Sequence, residues 1–339
     1  MDNKIICALC GGFAEIKHEN YPGYQEPWKF QICHCKKCNT SFSLPKVLDT
    51  KNLYENIYKN SKNVPGYERY WKYAINVKAQ VSPLKYLAKS ENIYWGISEA
   101  LKQTNRNKGA AKILEVGSGL GYLTYSLNKE GFYSTGIDIS AKAVEQANQN
   151  FGDYFSCIDL YEFSKTKREY FDVVILPEVI EHIDEPIIFL NAALNLLKPN
   201  GKIILTTPNK SIYSSNVIWA TVNPPVHCWW FSETSIICIG RKLNVDVNFI
   251  DFTKFYQRHV TYLINSSIPK YPVFNEDSEL ITNINVNERT SFFKRFKKNI
   301  FKQFSFLEYI YIKVKHLNNP NIIFCKQRGT VICAILHKR

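Results

Sequence analysis

The chain has 339 residues, 45% of them hydrophobic and 22% charged, which is the make-up of a globular protein and excludes collagen-like, low-complexity and long disordered architectures. No apolar run reaches the ~18–20 residues that a bilayer crossing needs, and the N-terminal segment lacks the basic-then-apolar pattern of a secretory signal, so a cytoplasmic protein is expected. The net charge of +13 is uneven: residues 241–339 carry 17 basic and 7 acidic side chains, leaving +3 for the first 240. A basic surface of that kind suits nucleic acid, an anionic membrane face or a phosphorylated ligand, or is simply a solvated face.

Residues 1–48 read as a metal-binding ribbon. Five of the ten cysteines fall in the first 38 residues, and four of them form two CxxC units, Cys7-Ala8-Leu9-Cys10 and Cys35-Lys36-Lys37-Cys38. Clustered pairs in a chain without a secretory signal point to metal, not disulfides, and to a reducing compartment. Two such units supply four thiolates in a tetrahedron, a closed structural Zn²⁺ site without an open catalytic position. Cys33 and His34 are spare candidates as ligands. Residues 49–108 follow as a helical cap rich in aromatics, including Tyr54, Tyr58, Tyr67, Tyr70, Trp71 and Tyr73. These read as core, with a second role wherever the cap covers a cofactor cleft.

Residues 109–255, with 329–339, read as an α/β core. Apolar strands are expected at 111–116, 134–138, 154–158, 171–176 and 202–206, alternating with helices at 122–130, 141–150 and 187–197. Lys198-Pro199-Asn200-Gly201 is expected to turn into the fifth strand. A helix at 232–241 and a strand at 245–252 follow, and the run 330–336 is expected as a seventh, antiparallel edge strand. The nearly all-apolar 171–176 suits a strand buried on both faces. The alternation predicts a doubly wound, Rossmann-like sheet that binds ligands beyond the carboxyl ends of its strands. Residues 256–328 then form a basic insertion.

The glycine loop Glu115-Val116-Gly117-Ser118-Gly119-Leu120-Gly121 joins a strand to a helix, as such a loop must. Its spacing is GxGxG, unlike the GxGxxG of dinucleotide sites. Glu115 beside it is poor company for a pyrophosphate and good company for a cation. Asp138 ends the second strand about 20 residues on, where an acid meets ribose hydroxyls.

This constellation resembles the class I S-adenosylmethionine-dependent methyltransferases. The resemblance covers roughly residues 110–255 and rests on LEVGSGLGYL, GIDIS, FDVVILPEVIEHIDEP, LLKPNGKIILTTPN and NPPVHCWWFS, which follow one another in the family's order. It implies a seven-stranded sheet and S-adenosyl-L-methionine as cofactor. By it, Glu115, Gly117, Ser118, Gly119 and Gly121 face the methionine end, Asp138 and Ile139 the ribose, and Asp159 the adenine amine. Glu178 would lie at the end of the fourth strand, beside the reacting centre.

Methyl transfer to a hydroxyl requires a base within reach. His182, just after the fourth strand, either satisfies local backbone groups or acts in catalysis. His227, between Pro224-Pro225 and an aromatic run, is either base or latch, and Asn209 is a further pocket candidate. The ribbon, aromatic cap, core and PPVHCWWFS loop together are similar to zinc-containing bacterial sugar methyltransferases. The resemblance implies O-methylation of a small-molecule or glycan acceptor in surface-glycan or nucleotide-sugar biosynthesis, or C-methylation of a keto-sugar. RNA methylation is the rival, suited to the basic C-terminal third, although the positive charge gathers at 289–302 and not on ribbon and cap. A binding subunit that keeps the fold without activity is the non-enzymatic alternative. Within 289–306, Phe293, Phe296, Ile300 and Phe304 fall on one helical face among lysines and arginine, a pattern for peripheral contact with an anionic membrane or for packing on the core. Nothing in the sequence sets the oligomeric state.

Overall fold

The computed structural model describes residues 5–46, 50–64, 66–104, 106, 108–217, 223–259, 261–265, 271–281, 314 and 322–338. The amphipathic stretch 289–306 lies outside these. Among the described residues no helix is long and apolar enough to cross a membrane.

The chain opens with β1 (Ile5–Ile6), β2 (Phe13–Pro22), β3 (Lys29–Cys35) and β4 (Thr40–Leu44), an antiparallel ribbon. The cap helices follow: α1 (Lys51–Lys59), α2 (Glu68–Asn76), α3 (Pro83–Ser90) and α4 (Asn92–Gln103). The α/β part then runs β5 (Lys112–Val116), α5 (Tyr122–Lys129), β6 (Tyr133–Asp138), α6 (Ala141–Phe151), β7 (Phe155–Cys157), α7 (Leu160–Thr166), β8 (Phe171–Pro177), α8 (Pro186–Asn195) and β9 (Leu197–Pro208). After it come β10 (Trp229–Trp230), α9 (Glu233–Leu243), β11 (Val245–Phe249), α10 (Thr253–Tyr256), β12 (Tyr262–Ile264), β13 (Ile322–Phe324) and β14 (Val331–Lys338).

The main sheet has seven strands in the order β11-β14-β9-β8-β5-β6-β7, with β5 to β9 parallel. The seventh strand is antiparallel, as expected, but it is not at the edge. β14 is inserted between β9 and β11 and pairs with both. Its residues 331–336 are all buried, which fits an interior strand with both faces covered. The expected turn at 198–201 is instead a bulge within β9: Leu197 pairs with Phe171 and Lys202 with Val173, and Asn200 takes the strain at φ +63°.

One face of this sheet shares a core with the ribbon. Leu9, Phe42, Phe189, Leu205 and Trp229 belong to one buried cluster. β10 extends the ribbon sheet by pairing Trp229 with Phe42, so a segment from the α/β part completes the N-terminal sheet. The Ser232 hydroxyl donates to the Cys38 carbonyl at 2.8 Å while capping α9, a second tie. On the opposite face the cap helices bury Tyr73, Val77, Leu87 and Ile97 against Leu123, Val144 and Cys333. The insertion packs on the ribbon and cap: Phe274 joins Tyr24, Leu53 and Ile57 in a small cluster.

Candidate active site

Burying the alternating strands leaves the loops beyond their carboxyl ends to surround one cavity of about 660 Å3. Its floor is the glycine loop. The Gly117 and Ser118 amides donate to the Ile137 carbonyl at 2.8 and 3.0 Å, which pins the loop to β6. The Gly119 amide donates to Asp138 Oδ2 at 2.8 Å, and the Ser140 amide to Oδ1 at 2.9 Å. Asp138 is thus buried at the strand end and braces the loop with its own carboxylate. Burial pushes its pKa up, against the pull of those amides.

Glu115, Gly117, Ser118, Gly119, Asp138, Ile139 and Asp159 all line the cavity. Gly121 does not. It sits at φ +79°, and a Cβ there would lie 2.6 Å from Phe155 and 2.8 Å from Ala147, so this glycine serves close packing at the start of α5. Glu115 is buried and accepts the Thr124 hydroxyl at 2.5 Å; burial pushes its pKa up to about 8. Asp159 caps α7 by accepting the Glu162 amide at 2.8 Å.

The residues at this end fit S-adenosylmethionine. The Ser118 hydroxyl is buried without a hydrogen-bond partner among the described residues and borders the cavity. A Cβ at Gly119, which has φ +47°, would meet only the Tyr58 phenol at 3.1 Å, so the loop needs a bare backbone where the cap closes over it. The five carboxylates of the lining, Glu115, Asp138, Asp159, Glu178 and Glu181, face a single guanidinium, that of Arg69.

The other end is built by the turn after β8 and the loop before β10. Glu178 holds φ +55°, a strained position for a residue with a side chain, fixed because its amide donates to the Thr206 carbonyl and hydroxyl, both at 3.1 Å. Burial pushes its carboxyl up to about 8, and the Arg69 guanidinium opposes this. His182 Nδ1 donates to the Val226 carbonyl, since a carbonyl can only accept. Burial lowers its pKa to about 4, so the ring is neutral at pH 7. His227 meets His182 edge to face, with ring centroids 4.7 Å apart. Both histidines and Glu178 line the cavity. Asn209 does not. It is wholly buried, donates to the Gly329 carbonyl at 2.9 Å and accepts the Ser211 amide at 2.9 Å, a structural knot after β9.

Two contributions escaped the sequence analysis. Glu181, wholly buried between Glu178 and His182, also lines the cavity, and burial pushes its carboxyl well above the usual range against the pull of the Thr207 hydroxyl. The cap and the insertion also supply walls: Tyr54, Tyr58, Tyr67 and Tyr70 from one, Tyr271 and Val273 from the other. The run of cap tyrosines was the only signal.

The four ribbon sulfurs also converge. Cys7 and Cys38 Sγ are 3.7 Å apart, Cys10 and Cys35 Sγ 3.4 Å, and all four lie within 4.8 Å of one another. Four sulfurs at the ~2.3 Å Zn–S distance of a tetrahedron are about 3.8 Å apart, so this group fits zinc. Cys33 is outside the group, and the His34 ring bonds to the Ser41 hydroxyl at 3.1 Å.

Comparison with known proteins adds a domain match. Residues 93–247 match a family model described as "Methyltransferase domain". The chain is similar to proteins named ubiquinone biosynthesis O-methyltransferase. The one from Psychrobacter cryohalolentis is 30% identical over 141 residues, 39% of this chain and 55% of that protein. The one from Aromatoleum aromaticum is 26% identical over 155 residues, 40% of this chain and 66% of that protein. The chain thus spans about half to two thirds of the length of these relatives. A solved SAM-dependent methyltransferase from Archaeoglobus fulgidus aligns with TM-score 0.41 and 19% identity, over 71% of this chain and 92% of that one. Residues 93–247, most of the α/β part, thus match a methyltransferase domain, and the strand order and glycine loop agree with that match.

Proposed function

We propose that the chain transfers the methyl group of S-adenosylmethionine to a hydroxyl oxygen of a small-molecule or glycan acceptor. The observation that carries this is one continuous cavity. The glycine loop and Asp138 stand at one end, and Glu178, His182 and His227 at the other, among tyrosines. Bound at the first end, S-adenosylmethionine supplies an electrophilic methyl group. Glu115, Ser118, Asp138 and Asp159 hold and orient the cofactor there. The cap tyrosines wall off water and offer faces to a ring. Glu178, His182 and His227 supply the proton acceptor: as the acceptor oxygen bonds to carbon, its proton passes to one of them.

We read the acceptor as a sugar hydroxyl in surface-glycan or nucleotide-sugar biosynthesis. The combination of ribbon, aromatic cap and PPVHCWWFS loop supports this. A second reading, a phenolic hydroxyl, is favoured by the names of the relatives and by the tyrosine walls, which suit an aromatic ring equally well. C-methylation of a keto-sugar would use the same proton acceptors. RNA is disfavoured because the positive charge gathers at 289–302 and not on ribbon and cap. Structural zinc at Cys7, Cys10, Cys35 and Cys38 completes the ribbon in this reading. In this reading the enzyme is cytoplasmic, and 289–306 serves either as packing on the core or as a contact to an anionic membrane face.

The test is an acceptor panel with purified full-length chain: nucleotide sugars against phenols, with the methylated atom located by NMR. An O-methyl sugar supports the first reading and an O-methyl phenol the second. A methyl on carbon would move the chemistry to C-methylation. Failure to bind S-adenosylmethionine would overturn all three.

A further inference from the structure

We infer that the ribbon takes part in acceptor recognition: the Tyr24 hydroxyl, at the tip of the β2–β3 hairpin, hydrogen-bonds an oxygen of the methyl acceptor. The hairpin has two ends. At one, Ala14 pairs with Cys35 beside the other three ribbon sulfurs; at the other, Pro22 pairs with Lys29 and the chain turns back through residues 23–28. A structural ion at the first end would hold the ribbon together. It does not account for the second end, where Tyr24 is one of the residues that line the cavity.

A second, independent observation points the same way. Tyr24 is 1% exposed, and its hydroxyl has no hydrogen-bond partner among the described residues. The buried side chains clustered with it, Leu53, Ile57, Val64, Val226 and Phe274, are all apolar. None of them can donate or accept, so a partner comes from the cavity side. A buried hydroxyl left bare is costly, and a bound oxygen removes that cost. The backbone holds the residue in place beforehand. The Tyr24 amide donates to the Pro224 carbonyl at 2.7 Å, and the Tyr24 carbonyl accepts the Val273 and Phe274 amides at 2.8 and 3.2 Å. Asn223 Nδ2 donates to the Gly23 and Tyr271 carbonyls, both at 3.2 Å. The hairpin tip, the loop that carries His227 and the insertion therefore meet at Tyr24, a preorganised arrangement.

The inference deepens the methyl-transfer reading and rests on it. Tyr24, Tyr67, Asn223 and Tyr271 all line the cavity and are neutral, hydrogen-bonding side chains. They suit an uncharged oxygen, a hydroxyl or a carbonyl, carried on a ring. Burial pushes the Tyr24 phenol well above its ordinary range, so it stays protonated and able to donate. The oxygen it meets is not the one that is methylated, because Glu178, His182 and His227 serve that one. The acceptor therefore carries at least two oxygens, and Tyr24 selects for the second. A buried group that expects a hydrogen bond discriminates strongly against a ligand that lacks one.

The experiment compares Tyr24→Phe with wild type, as full-length chain with the ribbon zinc in place. Methyl-labelled S-adenosylmethionine is supplied with nucleotide sugars, lipid-linked glycans and small phenols, and kinetics are measured on the pool that takes label. The expected result is an acceptor KM raised at least about tenfold, with kcat within about threefold and the S-adenosylmethionine dissociation constant within about twofold. The melting temperature without acceptor should be equal or higher, because the substitution breaks no hydrogen bond; a structural hydroxyl would lower it. Analogues of the labelled acceptor that lack one oxygen each give an arm in wild type alone, which does not depend on the variant folding. One of them should lose about the same factor in wild type and be indifferent to Tyr24→Phe. An unchanged KM, no such analogue, or a lower melting temperature with cofactor and acceptor binding weakened together would overturn the inference and leave methyl transfer standing. Label in no pool with the cofactor bound would remove the methyl-transfer reading and the inference with it.

Discussion

His182 and His227 meet edge to face across the cavity, 4.7 Å between ring centroids, although one follows β8 and the other precedes β10. The contact is held from both sides. His182 reaches the Val226 carbonyl, and the Cys228 amide donates to the Glu181 carbonyl at 2.8 Å. The two loops therefore act as one unit at the acceptor end.

Replacing one ring should separate chemistry from binding. His227→Asn keeps a polar side chain of smaller size beside His182. Turnover should fall by ~10²-fold or more, the usual worth of a proton-transfer group. The dissociation constant for S-adenosylmethionine, measured by calorimetry, should stay within about twofold. Near-normal turnover would reduce His227 to a latch.

At the cofactor end, Asp138→Ala removes the acceptor of the Gly119 and Ser140 amides as well as the ribose partner. Losing buried hydrogen bonds of this kind costs ~1–3 kcal/mol. Cofactor affinity should drop about 10- to 100-fold, while far-ultraviolet circular dichroism stays native. An unchanged affinity would move the ribose away from Asp138.

Much of this was legible beforehand, and the parts that were not share a cause. The parallel strands and glycine loop announce themselves locally, through apolar runs and glycines at fixed offsets. β10 does not, because two tryptophans become a strand only by meeting Phe42 and Ser41 from the far end of the chain. The inserted place of β14 is likewise a matter of long-range pairing. Glu181 stood within the EVIEH motif, but its complete burial beside the cavity is a property of what the fold packs around it. Tyr54 and Tyr58 gave the periodicity of a core helix, and periodicity cannot distinguish a packed wall from a cavity wall. Gly121 and Asn209 looked like site residues because they adjoin site loops; one turned out to pack and the other to tie the chain.

Stability should carry the mark of Glu115. Its folded pKa of about 8 lies above the usual carboxylate value, so its share of stability is complete below pH ~4.5 and is lost as pH rises to about 8. Glu115→Gln mimics the protonated form and keeps the Thr124 bond. The melting temperature of the variant relative to wild type should therefore rise from pH 5 to 8 and level off, a difference on the order of 5 kcal/mol at the top. A difference that does not change with pH would mean that Glu115 is ionised throughout.

The ribbon should not melt alone. Its sulfurs and Leu9 share a buried cluster with Phe189 and Leu205 of the α/β part, and β10 belongs to its sheet. In the zinc reading, Cys35→Ser or a strong chelator should lower the melting temperature of the whole chain in one transition, by several degrees or more. Metal analysis should find one zinc per chain in wild type. Loss of the ribbon with an unchanged main transition would show that it folds apart.

The central claim is methyl transfer from S-adenosylmethionine, and incubation with the methyl-labelled cofactor tests it most directly. Purified chain is given nucleotide sugars, lipid-linked or capsular glycans, small phenols and total RNA, and each pool is counted. The account predicts label in a sugar or phenol pool and its loss in His227→Asn. Label confined to RNA would contradict the acceptor, and no label in any pool despite intact cofactor binding would contradict the claim of activity.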